Sequence, residues 1–233
     1  MSVRIKRYLS DLAALFFVDT CAGCDTPLVN GEQLICTACW YRLPDTRSHT
    51  DPQNSGARQL WGRVRIEAVA SYWYFRDGSR VQRIIHRLKY RNRPEIGTAV
   101  GLRYGSILAG TPPYNRAEVI VPVPLHPRKL RKRGYNQSAC FAHGLARSMR
   151  LPVAEHAIKR TKPTESQTHK GRYERYENMI KTFGIDDAGA IAGRHVLLVD
   201  DVLTTGATLE ACAHTLWEHG ASHVSAVTIA KAR

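Results

Sequence analysis

The chain has 233 residues and a formal net charge of +14, with 43% apolar and 23% charged residues. That length holds one domain of ordinary size plus a small appendage, and the composition excludes a disordered or fibrous chain. No stretch reaches the roughly 18 apolar residues that span a bilayer, and the excess of Lys and Arg favours polyanionic partners: nucleic acid, phosphorylated metabolites or an acidic membrane face.

At the N-terminus Arg4, Lys6 and Arg7 precede the apolar run Leu12–Val18. Charge followed by an apolar run is the order of a secretory signal. Asp11 interrupts it, however, and no small-x-small cleavage site separates the run from Cys21. The reading is a short helix packed on a cytoplasmic protein. Cys21-Ala-Gly-Cys24 and Cys36-Thr-Ala-Cys39 follow. Two pairs at this spacing place four thiolates around one structural Zn²⁺, with no coordination position left open. Cys140 and Cys212 fall on apolar helix faces, where free cysteine acts as a small hydrophobe. Residues 1–45 are therefore expected to form a helix and a four-cysteine module. The polar stretch that follows has no periodic apolar face, so residues 46–63 read as a linker and 64–233 as the main domain.

Ile66–Phe75 is rich in β-branched and aromatic residues and predicts a strand. Val81, Ile84, Ile85 and Leu88 fall at i, i+3, i+4, i+7 and predict a helix over 79–90. On this helix His86 and Lys89 read as surface or capping residues. A second helix is expected over Glu95–Leu108. Val119–Val123 reads as a buried strand closed by prolines, and after it the chain carries its densest positive cluster: Arg128, Lys129, Arg131, Lys132 and Arg133. That cluster is expected to be a loop. Phe141, Leu145 and Met149 mark the next helix and Val153–Ile158 a weaker strand. From 160 to 183 the sequence is long, polar and Tyr-rich, and loops of that length inside a compact domain are commonly functional. His195–Val199 is a continuous apolar run, the mark of a strand buried on both faces. A helix over 208–219 and a strand over Val224–Ile229 complete a parallel α/β sheet.

The strongest functional signal lies where the 195–199 strand meets the next helix. Open parallel sheets bind ligands beyond the carboxyl ends of their strands. There the chain places Val199, Asp200 and Asp201, then Thr204-Thr205-Gly206-Ala207-Thr208. Paired acids accept hydrogen bonds from the vicinal hydroxyls of a ribose and help hold Mg²⁺ through its waters. The hydroxylated turn offers backbone N–H groups and a helix N-terminus to a monophosphate. A diol clamp beside a phosphate cradle points to a 5-phosphoribosyl group.

The run Val196–Thr208 resembles the phosphoribosyl-diphosphate (PRPP) motif of type I phosphoribosyltransferases. Together with the cysteine pairs, Ile85–Tyr90, Val121–Pro124, Arg133–Gln137, Arg160-Thr161 and Gln167, the whole chain resembles the ComF family. The resemblance implies a type I phosphoribosyltransferase fold with an N-terminal zinc module. It assigns Asp200 and Asp201 to the ribose, the basic cluster at 128–133 to the diphosphate or to nucleic acid, and Gln167, Arg172 and Asn178 to a hood. It also implies PRPP or a related nucleotide with Mg²⁺, and handling of imported single-stranded DNA beside the DNA-uptake machinery. A conventional salvage or biosynthetic transferase that releases diphosphate, and a PRPP-sensing regulator without catalysis, stay open alongside. Trp40, Tyr41, Trp61 and Tyr72-Trp73-Tyr74 are candidate stacking faces, although most of them read as core or strand residues.

Overall fold

The computed structural model describes residues 19–161 and 182–232. The N-terminal apolar run and the hood residues Gln167, Arg172 and Asn178 lie outside them. Among the described residues no helix is long and apolar enough to cross a membrane.

The cysteine module ends in a short helix, α1 (Thr37–Arg42), and a second, α2 (Ser55–Leu60), follows it. Then come β1 (Ala68–Phe75), α3 (Arg80–Tyr90), α4 (Pro94–Leu108) and β2 (Val119–Pro122). After β2 the chain forms α5 (Pro127–Arg133), α6 (Gln137–Met149), β3 (Ile158–Arg160) and β4 (Phe183–Ile185). It closes with β5 (His195–Leu203), α7 (Ala207–Glu218) and β6 (His223–Ala232). The main sheet is four-stranded and parallel, in the order β1-β6-β5-β2.

Helices cover both faces of this sheet, so its central strands are buried along most of their length. Leu197 and Val199 of β5 point to one side, where they meet Ile96 and Tyr104 of α4 and Phe141 and Leu145 of α6. Val196 and Leu198 point to the other, against Leu209, Cys212 and Leu216 of α7 and Leu60 of α2. The helices that follow β2 and β5 thus lie on opposite faces, which opens a crevice at the carboxyl ends of those two strands. Helices α4 and α6 meet backbone to backbone. A Cβ on Gly101 would sit 2.2 Å from the Phe141 carbonyl oxygen, and one on Gly144 would sit 2.2 Å from that of Thr98.

Three expectations change. Residues 46–63 do not run free as a linker. The Ser48 hydroxyl donates to the Ser71 carbonyl at 3.0 Å, Asn54 Nδ2 donates to the Val69 carbonyl at 2.7 Å, and Leu60 is fully buried. The basic cluster is a helix rather than a loop, opened by Pro127 at its first turn and closed by Gly134 at φ +84°. Val153 makes only a single parallel bridge to Ile120, and the strand beyond it, β3, pairs antiparallel with β4 as a separate hairpin. Of the candidate stacking rings, Tyr72 and Trp73 are buried in the core, whereas Tyr41 and Trp61 stay exposed.

Candidate functional site

The site forms where β5 outruns its edge neighbour. β2 pairs with β5 only as far as Pro122 opposite Val199, while β6 stays paired to Leu203. The last bond on that side is from the Val123 N–H to the Val199 carbonyl at 2.8 Å, so Asp200 and Asp201 emerge on a strand that is supported on one side and open on the other.

The two acids have different surroundings. Asp200 Oδ1 accepts from the Ser138 hydroxyl at 2.9 Å and from the Asp201 N–H at 2.8 Å. Burial and the adjacent Asp201 charge push the Asp200 carboxyl up to about 7. Asp201 Oδ1 accepts from Lys89 Nζ at 3.0 Å, an ion pair in which the carboxylate is almost fully buried. Its second oxygen, Oδ2, is buried with no hydrogen-bond partner. An orphaned carboxylate oxygen in such a place costs about 1–3 kcal/mol or more. A ribose hydroxyl or a hydrated cation is the kind of group that would relieve that cost.

Beyond the acids, Thr204, Thr205 and Thr208 are exposed around the N-terminus of the twelve-residue α7. Gly206 caps that helix at φ +77° and supplies no side-chain acceptor, so the first backbone N–H groups face outward. A Cβ on Gly206 would lie 2.7 Å from Leu60 Cδ2. The segment expected as a linker therefore braces this loop. Gln59 donates to the Thr204 carbonyl, and Arg63 Nη1 donates to the Thr205 carbonyl at 2.9 Å while also pairing with buried Glu210.

The predicted cationic side chains gather only in part. Lys129, Lys132 and Arg133 of α5 join Lys89, Tyr90 and Asn92 around a cleft of about 330 Å³, and Arg128 and Arg131 are not part of its lining. Lys89, read from the sequence as a surface or capping residue, is instead the link between this cleft and the acid pair. The sequence offers no local sign of that contact, which joins residues 112 positions apart. Ser138, Gln59 and Arg63 were missed for the same reason. Of the segment expected to be a hood, residues 162–181 lie outside the described residues; in the hairpin on either side of it the Arg160 guanidinium lies 5.4 Å from the Phe183 ring centre.

The four cysteines do converge. The Sγ atoms of Cys21, Cys24, Cys36 and Cys39 all lie within 4.8 Å of one another, and those of Cys24 and Cys36 are 3.7 Å apart. A tetrahedral Zn²⁺ with bonds of about 2.3 Å needs sulfurs about 3.8 Å apart, so the cluster fits a single four-thiolate ion. Backbone N–H groups already point at the sulfurs: Cys36 N to Cys21 Sγ at 3.2 Å, and Cys39 N to Cys36 Sγ at 3.4 Å. Hydrogen bonding by Thr26 holds the Cys24 thiol down to about 6, whereas burial pushes the Cys36 and Cys39 thiols up. The module docks on α3, where Arg83 Nε donates to the Gly23 carbonyl at 2.7 Å and Arg87 Nη1 to that of Cys21 at 3.1 Å.

Residues 136–233 match the phosphoribosyl transferase domain family. The chain is 30% identical to the DNA utilization protein YhgH of Escherichia coli K12 over 88% of this chain and 93% of that protein. It is 32% identical to the competence protein ComFC of Bacillus subtilis over 87% and 86% of the respective chains. A solved glutamine PRPP amidotransferase of B. subtilis superposes with a TM-score of 0.43 at 20% identity, covering 62% of this chain and 30% of that one, a likeness too low to argue from. The parallel sheet, the matched domain, the cysteine cluster and near full-length relatives place this chain in the ComF family of competence and DNA utilization proteins, with a type I phosphoribosyltransferase fold.

Proposed function

We propose that the chain binds PRPP or a related nucleotide with Mg²⁺ in the crevice at the carboxyl end of β5, and that it serves the handling of imported single-stranded DNA. The observation that carries the pocket is the acid pair: Asp201 keeps a buried oxygen without a partner, beside exposed Thr204, Thr205 and Thr208 at an uncapped helix start. In this reading Asp200 and Asp201 take the ribose hydroxyls, and the N–H groups of residues 205–208 take the 5-phosphate. Lys89, Lys129, Lys132 and Arg133 balance the diphosphate. Bound Mg²⁺ would offset the charge of the diphosphate. The four cysteines hold a structural Zn²⁺, which would supply the folding energy that a module of this size lacks. The role in DNA handling is carried over from the names of the relatives, and the basic surface is compatible with it.

Isothermal titration of the zinc-loaded protein with PRPP, with and without Mg²⁺, tests the pocket. Saturable binding that disappears in Asp200→Ala/Asp201→Ala is the expected result. Heat that is unchanged in the double variant would place the ligand elsewhere. A screen of acceptors for released diphosphate then separates a transferase from a sensor.

A further inference from the structure

Helix α3 buries Val81, Ile84, Ile85 and Leu88. Its opposite face carries Arg83, His86, Arg87 and Tyr90, with Arg91 one residue beyond, at i, i+3, i+4, i+7 and i+8; Arg83 and Arg87 also reach the cysteine module, while His86, Tyr90 and Arg91 are exposed. Neither α3 nor α5 contains an acid. Surface helices usually mix signs, because like charges a turn apart repel. Among the described residues only two cations of these helices pair with an acid: Arg87 with Asp25 and Lys89 with Asp201. Two clefts flank the end of α3. One, of about 630 Å³, is lined by Arg83, His86, Arg87, Arg91 and Arg93, and the other is the cleft of Lys89, Lys129, Lys132 and Arg133. Tyr90, 66% exposed, lines the second cleft, with the His86 ring of the first cleft 5.0 Å away and the Arg133 guanidinium 5.5 Å from its centre.

Arg87, Lys89 and Arg93 pair with Asp25, Asp201 and Glu95, which leaves Arg83, Arg91, Lys129, Lys132 and Arg133 without an acid partner among the described residues. Cations of that kind in two concave clefts call for a polyanion that bends into both. An exposed aromatic ring beside them calls for flat, unpaired π faces. A duplex hides its base faces and is stiff over about 150 base pairs, so it neither stacks on Tyr90 nor follows the clefts. We infer that this surface is a track for single-stranded nucleic acid, with Tyr90 as its stacking platform and with the cleft of Lys89, Lys129, Lys132 and Arg133 shared between the strand and the diphosphate of the adjoining pocket. The inference rests on the DNA-handling reading above and gives it a location distinct from the cysteine module and from the exposed Tyr41 and Trp61.

Fluorescence anisotropy of a labelled twenty-nucleotide oligo(dT) on the zinc-loaded full chain tests it, with melting curves to confirm that each variant is folded. Stacking is worth about 1–3 kcal/mol per base, so Tyr90→Ala should weaken binding about 5- to 150-fold, and Tyr90→Phe should restore it. Arg91→Ala and Lys132→Ala should each lower the slope of log affinity against log salt by about 0.7. Arg147→Ala, on the exposed surface of α6, should leave both unchanged. Wild-type affinity in Tyr90→Ala, or equal affinity for a matched duplex, would overturn the track. A wild-type protein that binds PRPP but not oligo(dT) also overturns it while leaving the pocket intact. One that binds oligo(dT) through Tyr90 but not PRPP supports the track and removes the pocket.

Discussion

The acid crevice meets helix α3 at its C-terminal end, through Lys89, whereas the cysteine module docks along it through Arg83 and Arg87, and the two are built in opposite ways. The module is a set of tight turns, with Asp25, Gly31 and Leu34 all at positive φ. What it lacks in buried core it makes up through four converging sulfurs. The crevice needs no ion to exist. Its acids ride on a strand buried between two helical layers, and the Thr204–Gly206 loop beyond them is braced by Leu60, Gln59 and Arg63. One region is organised around four converging thiols, the other by the framework beneath it.

Metal removal breaks this contrast most strongly. Structural zinc contributes on the order of 10 kcal/mol to small modules of this kind. Chelation, or Cys39→Ser, should therefore release one zinc per chain, measured by elemental analysis. It should also unfold the module at temperatures where the phosphoribosyltransferase sheet still melts cooperatively. Equal loss of both regions would show that they are a single folding unit. A smaller effect comes from Gly206→Ala, which combines positive φ with a contact to Leu60 and should cost about 1–3 kcal/mol in urea melts. That substitution probes the framework without touching either acid. Lys89→Met should cost about 1–3 kcal/mol by leaving Asp201 buried without its cation, and should weaken PRPP in calorimetry.

The subtlest effect is one of pH. The Asp200 carboxyl is raised in the folded state from an ordinary value near 3.8 to about 7. The folded chain therefore holds this proton more tightly than the unfolded chain does. Its contribution is complete below about pH 4 and is lost as pH rises through 7. Urea melts of the ligand-free protein at pH 5 and pH 8 should show a smaller decline in Asp200→Asn than in wild type. An identical pH dependence in the two would mean that Asp200 is not perturbed.

How much of this was legible in the sequence follows from the range of the interactions. The run His195–Val199 and the Thr204–Thr208 turn are local patterns, and the structure has a strand and a helix start there. The four cysteines were legible because metal spacing is also local. Lys89 was not, because its partner lies across the fold and nothing about a lysine beside a leucine distinguishes an ion pair from a wet surface. Residues 46–63 were misread because their anchoring uses Asn54 and Ser48, polar side chains bonded to the backbone of β1, rather than an apolar stripe. The α5 helix did leave a sign: Pro127 at the first turn and Gly134 just past the end are ordinary helix punctuation. Its unbroken positive charge and lack of an apolar face obscured that punctuation.

The central claim is that the crevice at the end of β5 is a phosphoribosyl site. A crystal structure of the zinc-loaded chain with PRPP and Mg²⁺ tests it most directly. The account predicts the 5-phosphate on the backbone N–H groups of residues 205–208 and the ribose hydroxyls on Asp200 and Asp201, with Asp201 Oδ2 satisfied. Ligand bound away from these acids, or an empty crevice at saturating PRPP, would contradict it.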